Sequence, residues 1–292
     1  MIDYSTIKSL NIDLTSKCNA SCIACDRNYS GYGVKKDLII ADLSIERITE
    51  VLNLLPNLDT IWFCGIYGDA IASANINEAI QLLIARNIKK IHIHTNGSLR
   101  SVSWWENFGS ALKDRDHMVI FGIDGLEDTH SLYRQGTNFK KIIENAVAFI
   151  NSGGNASWQF IPFAHNEHQI LEAKKLSKKL GFKKFNLRRD VRYVSQPKHY
   201  KTGEPLNIKP WSHENNIGRY DGEELFGQNL QSFTTVEKSE CMHLSLPSLF
   251  LTHTGKLTPC CFLPNIKIEH VDIESEIHAK QYRPQCLMFC GK

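Results

Sequence analysis

The sequence contains no stretch near the ~18 consecutive apolar residues that a membrane span requires, so no membrane partner is expected. Its start, MIDYSTIKSL, lacks the basic stretch and apolar run of a secretory signal, and a cytoplasmic location is expected. Charge of one sign is also scarce. Thirty-four Lys and Arg against 31 Asp and Glu leave a formal +3, too little to imply a polyanionic partner. There is no tandem repeat and no low-complexity segment. What remains is an ordinary globular composition, 42% hydrophobic and 22% charged over 292 residues, enough for one large core or a core with an appendage. Nothing specifies a self-association surface, so a monomer is expected.

Cysteine is the exception to this plainness. Nine cysteines are an odd count in a long chain with no secretory signal, which argues against a disulfide scaffold. Metal ligation in a reducing compartment is the better reading.

Short β-type runs alternate with helical periods through the first two thirds of the chain. The runs are Ser9 to Thr15, Thr60 to Gly65, Lys90 to Thr95, His117 to Asp124, Ser157 to Phe163 and Lys183 to Arg189. Between them, Ile45, Ile48, Val51, Leu52 and Leu55 recur at helical spacing behind Ser44 as N-cap. Phe139, Ile142, Ile143, Ala146, Val147 and Ile150 do the same before Gly153 and Gly154, and a third helix over 170–180 stops at Gly181. Six β-then-α units predict parallel strands with right-handed crossovers, too few for a closed eight-stranded barrel. The expected fold is α/β, a partial, open (β/α)6 TIM-like barrel over residues 1–195, with an open doubly wound sheet as the alternative. Residues 196–240 are rich in Gly, Pro, Asn and charge, and two short strands follow around Thr254-Gly255. Residues 196–292 hold five of the nine cysteines and too little apolar residue for their own core. A bound metal centre would supply cohesion to a small second α+β domain there.

Two cysteine groups carry the chemistry. Cys18, Cys22 and Cys25 form a C-x3-C-x2-C loop just after the first strand. Three thiolates leave one coordination position of a [4Fe–4S] cluster open. A zinc knuckle is the competing reading, but zinc sites usually show a second Cys or His pair close by, and none follows. The loop resembles the C-x3-C-x-Φ-C signature of the radical S-adenosylmethionine (SAM) superfamily, here with Ala24 at the usually aromatic position. Further segments match in order. Gly65-Ile66-Tyr67-Gly68-Asp69 resembles the Gly-Gly-Glu segment, with Asp69 in place of Glu. Thr95-Asn96-Gly97 resembles the family's turn after strand three. Gly122-Ile123-Asp124-Gly125 through Tyr133-Arg134 resembles its SIDG…YR segment, with Gly122 in place of Ser. The resemblance covers residues 9–190. It implies that Gly65, Tyr67, Gly68, Asp69, Asn96, Asp124, Arg134, Gln159 and Ile161 line the SAM site, with Arg134 on the SAM carboxylate and Gln159 to Phe163 beside adenine.

The second group is Cys241-x13-Gly255-x4-Cys260, Cys261, then Cys286-x3-Cys290. It resembles the twitch and SPASM extensions behind radical SAM barrels. Cys241, Cys260, Cys286 and Cys290 would saturate an auxiliary [4Fe–4S] cluster, with Cys261 able to replace Cys260. A four-cysteine zinc site fits the same spacing.

The resemblance implies reductive cleavage of SAM to methionine and a 5′-deoxyadenosyl radical, which takes hydrogen from a substrate C–H bond. A saturated auxiliary cluster suits electron relay, hence a dehydrogenase-type oxidation of a polar small molecule. Epimerisation or cross-linking of a short peptide is the alternative, and a non-enzymatic zinc or iron–sulfur protein the rival of another class. A flavodoxin- or ferredoxin-type electron donor is implied. Strand alternation adds a separate reading: if Thr15, His94 and Gly122 face the lumen, so do Asn11, Asp13, His92, Cys64, Asn186 and Arg188. So polar a lumen suits a polar substrate. Asp13, His94 and Arg188 are candidates for substrate contact or proton transfer, against a purely structural role, and Cys64 for hydrogen-atom donation, against a buried structural thiol. Residues 174–201 carry eleven Lys or Arg and one acid, Asp190. A solvated helix face explains Lys174, Lys175, Lys178 and Lys179, with docking of an anionic substrate, a peptide or a nucleic acid as the alternative, and no interleaved aromatics mark a nucleic-acid platform.

Overall fold

A computed structural model describes residues 3–188, 196–212 and 248–258. In chain order, strand β1 (Ser9–Ile12) precedes a small hairpin, β2 (Asn28–Tyr29) and β3 (Tyr32–Val34). Then come α1 (Ile45–Leu54), β4 (Thr60–Phe63), α2 (Ile76–Ala85), β5 (Lys90–Thr95), α3 (Val102–Ala111) and β6 (Met118–Gly122). Next are α4 (His130–Tyr133), α5 (Phe139–Asn151), β7 (Ala156–Phe160), α6 (Ile170–Lys179) and β8 (Lys184–Leu187). Strands β9 (Ser248–Leu251) and β10 (Leu257–Thr258) complete the described set.

The helices start where the sequence supplies caps. Ser44 accepts the Arg47 N–H at 3.2 Å, and Asn138 accepts the Lys141 N–H at 3.0 Å, each satisfying an otherwise orphaned donor. Behind these caps, Ile48, Val51 and Leu52 of α1 and Ile142, Ala146 and Phe149 of α5 are buried on one face.

The main sheet has the order β10-β9-β1-β4-β5-β6-β7-β8. The six strands expected from the sequence are parallel and stand in chain order, as right-handed β-α-β units require. The hairpin at Thr254-Gly255 forms as expected but is built into this same sheet. β9 pairs parallel with β1, with Leu251 opposite Ile12, and β10 pairs antiparallel with β9. The preceding described segment also lies on the barrel: Lys198 donates its N–H to Ser30 at 2.9 Å, and Phe163 bridges to Pro210.

Alternation divides the sheet into two faces. Leu10, Ile12, Ile61, Phe63, Ile91, Ile93, Val119, Phe121, Trp158 and Phe160 belong to one continuous apolar core beneath the helices. Each such burial contributes about 1.5–3 kcal/mol against exposure. The alternate residues Asn11, Trp62, His92, His94, Gln159 and Asn186 turn to the other face and are only half-buried. No helix among the described residues is long and apolar enough to cross a membrane.

Candidate SAM and iron–sulfur site

The chain leaves β1 and enters the cysteine loop at the C-terminal ends of the parallel strands, where this architecture gathers its active loops. Cys22 is buried, and Cys18 and Cys25 are half-buried, all as free thiols. A small apolar cluster of Ala20, Cys22, Ile23, Ala24, Tyr133, Ile161 and Phe163 supports the loop, with Cys18 and Cys25 against its edge. Ala24 thus occupies packed space, with Ile161 in the same cluster.

Hydrogen-bond donors point at the sulfurs. The Ala20 N–H lies 3.3 Å from Cys18 Sγ, Asn96 Nδ2 lies 3.7 Å from the same sulfur, and Arg134 Nη1 lies 3.8 Å from Cys22 Sγ. Such donors suit thiolate and metal-bound sulfur. Burial pushes the Cys18 thiol far above its ordinary range, and the Asp69 carboxylate adds to the shift. Burial likewise raises Cys22 to about 11, against the opposing pull of Arg134. Without a metal these thiols stay protonated, so metal capture releases protons. Among the described residues, no three His, Cys, Asp or Glu side chains converge on a single-ion position. Three thiols on one loop, with N–H donors at two of the sulfurs, fit a polynuclear cluster, in which each sulfur would take its own iron.

The turns after β4, β5 and β6 interlock with this loop. Gly68 packs so tightly on the backbone of Thr15 that any side chain would collide with it, and the Asp69 N–H donates to Lys17 at 2.9 Å. Asp69 is buried and bridges two turns. It accepts from the Ile71 N–H at 3.0 Å, the Asn96 N–H at 2.7 Å and Thr95 Oγ1 at 3.0 Å. Burial raises its pKa, opposed chiefly by those backbone N–H groups. Asn96 in turn donates to Asn19 Oδ1 at 3.0 Å. Asp124 is fully buried; its Oδ2 pairs with Arg134 Nε at 2.6 Å, and its Oδ1 accepts the Ile161 N–H at 2.6 Å. Burial works against the charge of Arg134, but Asp124 outweighs it and holds the pKa above its ordinary value. Gly122 has a steric reason for its identity. A Cβ there would lie 2.6 Å from Arg134 Nη2, so the missing side chain is the space the guanidinium fills.

The structure therefore brings Cys18, Cys22, Cys25, Asp69, Asn96, Asp124, Arg134 and Ile161 together, with Gly65, Tyr67 and Gly68 on the adjoining turn. Gln159 is half-buried on the inner face of β7. Of the remaining candidates, Asp13 is buried and bonded to His253 at 3.0 Å, Cys64 is half-buried at the exit of β4, and His94 is half-buried with its ring 6.2 Å from that of Trp62. Arg188 is exposed just beyond β8. Cys241, Cys260, Cys261, Cys286 and Cys290 lie outside the described residues.

Three contributors escaped the sequence reading. Trp62 stacks on His92 with ring centroids 3.9 Å apart, and its parity with Cys64 was the signal that could have named it. His130 accepts the Asp124 N–H at 3.1 Å through Nδ1, leaving Nε2–H for Thr137 Oγ1 at 2.9 Å. Burial, then the nearby Arg134, lowers its pKa to about 3, so it is neutral. His253 is 240 residues from Asp13 and had no local signal at all.

Fold and loop together define a partial α/β barrel with three cysteine thiols on one loop at its strand ends. Residues 12–183 match the radical SAM superfamily, and the chain belongs to it: an enzyme superfamily that works with SAM and a [4Fe–4S] cluster. Among solved structures the chain is similar to Streptococcus suis SuiB bound to S-adenosylmethionine, at 14% identity and TM-score 0.59, over 98% of this chain and 71% of that one. SuiB bound to precursor peptide SuiA is similar at 13% identity and TM-score 0.56, over 91% and 62% of the two chains. Native anSMEcpe with bound AdoMet and Cp18Cys peptide is similar at 16% identity and TM-score 0.55, over 97% and 87%. At these identities the likeness is one of fold. No curated protein matches the chain in sequence.

Proposed function

We propose that this enzyme reductively cleaves SAM and takes hydrogen from a polar substrate held on the inner face of the sheet, in a dehydrogenase-type oxidation. The observation that carries the reading is the thiol loop with N–H donors aimed at Cys18 and Cys22, locked to the Asp69, Asn96 and Arg134 side chains. The cluster and SAM, when bound, supply the one-electron cleavage chemistry. Cys18, Cys22 and Cys25 hold the cluster. Arg134, kept charged by Asp124, offers a cation to the SAM carboxylate, and the Gly65–Asp69 turn receives the amino group. Gln159 and Ile161 border the adenine. The inner face of the sheet carries Asn11, Trp62, His92, His94 and Asn186, whose polarity favours an oxygen- or charge-bearing substrate. Asp13, His94, Arg188 and Cys64 are the residues proposed for substrate contact and proton or hydrogen-atom handling. Residues 196–292 are proposed to bring Cys241, Cys260, Cys286 and Cys290 to an auxiliary [4Fe–4S] cluster that relays the substrate's second electron. The substrate's first electron would leave with the hydrogen atom, and a flavodoxin- or ferredoxin-type protein would supply the separate electron that cleaves SAM.

Anaerobic reconstitution tests this. About eight irons per chain are expected for two such clusters, and about four for one. Added SAM should alter the reduced-cluster spectrum and yield 5′-deoxyadenosine; colourless, zinc-bearing protein would overturn the reading. A second reading, modification of a peptide, is favoured by the peptide-bound relatives that share the fold over 91% and 97% of this chain. Deuterated cell extract split into small-molecule and peptide fractions separates the two. Deuterium entering 5′-deoxyadenosine from the small-molecule fraction supports oxidation of a small substrate, and transfer from the peptide fraction supports the other.

A further inference from the structure

His253 lies in the turn between β9 and β10, and its ring is buried at 6% exposure. Nδ1 is 3.0 Å from Asp13 Oδ2, and Nε2 is 3.1 Å from the Ile39 carbonyl oxygen. A carbonyl can only accept, so Nε2 is the donor to Ile39, and Nδ1 faces the carboxyl group within hydrogen-bond distance. The Tyr67 ring meets the imidazole edge-on at 5.7 Å. One side chain thereby ties together the end of β1, the turn after β4 and the segment that follows the cysteine loop. Pairing of β9 with β1 delivers it: the Asp13 N–H donates to Leu251 at 2.8 Å, and His253 follows two residues on.

The tie bears directly on the Gly65–Asp69 turn. Asp13 Oδ1 lies 2.9 Å from the position a Cβ on Gly65 would take, so the carboxylate forms the wall on which that turn is laid. Burial raises the pKa of Asp13, while the His253 contact lowers it. A carboxyl group at 1% exposure that lost its His253 partner would draw in water or swing away. Either movement takes the wall from under Gly65 and leaves Tyr67 without its ring contact.

We propose that His253 is a positioning residue for SAM: held between Asp13 and Ile39, it keeps the Asp13 carboxylate and Tyr67 where the Gly65–Asp69 turn needs them. The inference rests on the reading of that turn as part of the SAM site. It assigns a role in that site to a residue from the far end of the chain.

The test is a SAM titration of the full chain, reconstituted anaerobically and followed by the spectral shift of the reduced cluster, with iron content and thermal melting measured alongside. His253→Ala should weaken SAM binding roughly 10- to 100-fold, the usual range for loss of a supporting partner, at unchanged iron. His253→Asn, which keeps an amide near the Nδ1 position, should recover most of that loss, and Asp13→Asn should weaken binding several-fold. Wild-type affinity in folded His253→Ala overturns the proposal. If His253→Ala loses iron and its melting transition, wild-type affinity in folded Asp13→Asn overturns it instead. A wild-type protein that shows no spectral response to SAM is a different failure, that of the cofactor site itself.

Discussion

The two faces of the central sheet are made from the same strands, yet they have opposite chemistry. Toward the helices stand Leu10, Ile12, Ile61, Phe63, Ile91, Ile93, Val119 and Phe121, all essentially without exposure. Toward the lumen, one residue away in each case, stand the half-buried Asn11, Trp62, His92 and His94. A closed eight-stranded barrel fills its interior with branched apolar residues and gains stability from both faces. Here one face supplies the cohesion, and the other is left polar and partly open for chemistry.

Substitutions on the two faces should therefore fail in different ways, and the largest failure is at the loop above the lumen. Replacing Cys18, Cys22 and Cys25 by Ala should reduce SAM cleavage to the uncatalysed background while leaving the helix-facing core intact. Measurable 5′-deoxyadenosine from that variant would remove the basis of the comparison. On the helix side, Phe63→Ala should cost about 3–5 kcal/mol of stability in urea unfolding. Its turnover per folded molecule should change little. On the lumen side the ratio inverts: Trp62→Ala should cost about 1 kcal/mol or less, because the ring is only half-buried, and lower turnover by roughly 10- to 100-fold through misplacement of the substrate. Equal stability losses for the two variants would break the distinction.

A smaller effect should appear in acid. His130 has a pKa of about 3 in the fold against an ordinary value of 6.5, because burial and then Arg134 disfavour the charged ring. Between those values the unfolded chain binds the proton and the native chain does not. Stability contributed by the neutral ring is thus fully present above about pH 6.5 and lost as pH falls toward 3, by at most about 1.4 kcal/mol per unit. His130→Asn keeps an acceptor for the Asp124 N–H and should flatten that slope in urea midpoints measured at pH 7 and 5. The smallest effect belongs to the surface: Lys17 pairs with Asp42 at 2.6 Å with its side chain 47% exposed, and Lys17→Ala should cost under about 1 kcal/mol.

Much of this was legible in order along the chain. Period-two runs located the six parallel strands, helical spacing behind Ser44 located α1, and the cysteine spacing located the loop. Local patterns could do so because backbone periodicity and chelate spacing are set by neighbours in sequence. The alternation rule placed His92 inward, yet Trp62, two residues before Cys64, went unnamed because an aromatic reads as core. Asp13 was picked out as a reactive candidate from its parity, whereas its partner at His253 was invisible. Gly122 stands where the resembled segment has Ser, and only the guanidinium of Arg134 beside it shows a steric purpose.

The sequence alone determined the strand and helix units, the thiol triad and the polarity of the inner face, since each depends on residues within a few positions of one another. Tertiary structure alone decided that β9 from the end of the chain pairs with β1, that Asp124 holds Arg134 toward Cys22, and that His253 meets Asp13. Those contacts join residues 10 to 240 positions apart, and their partners are chosen by which surfaces the folded sheet brings together.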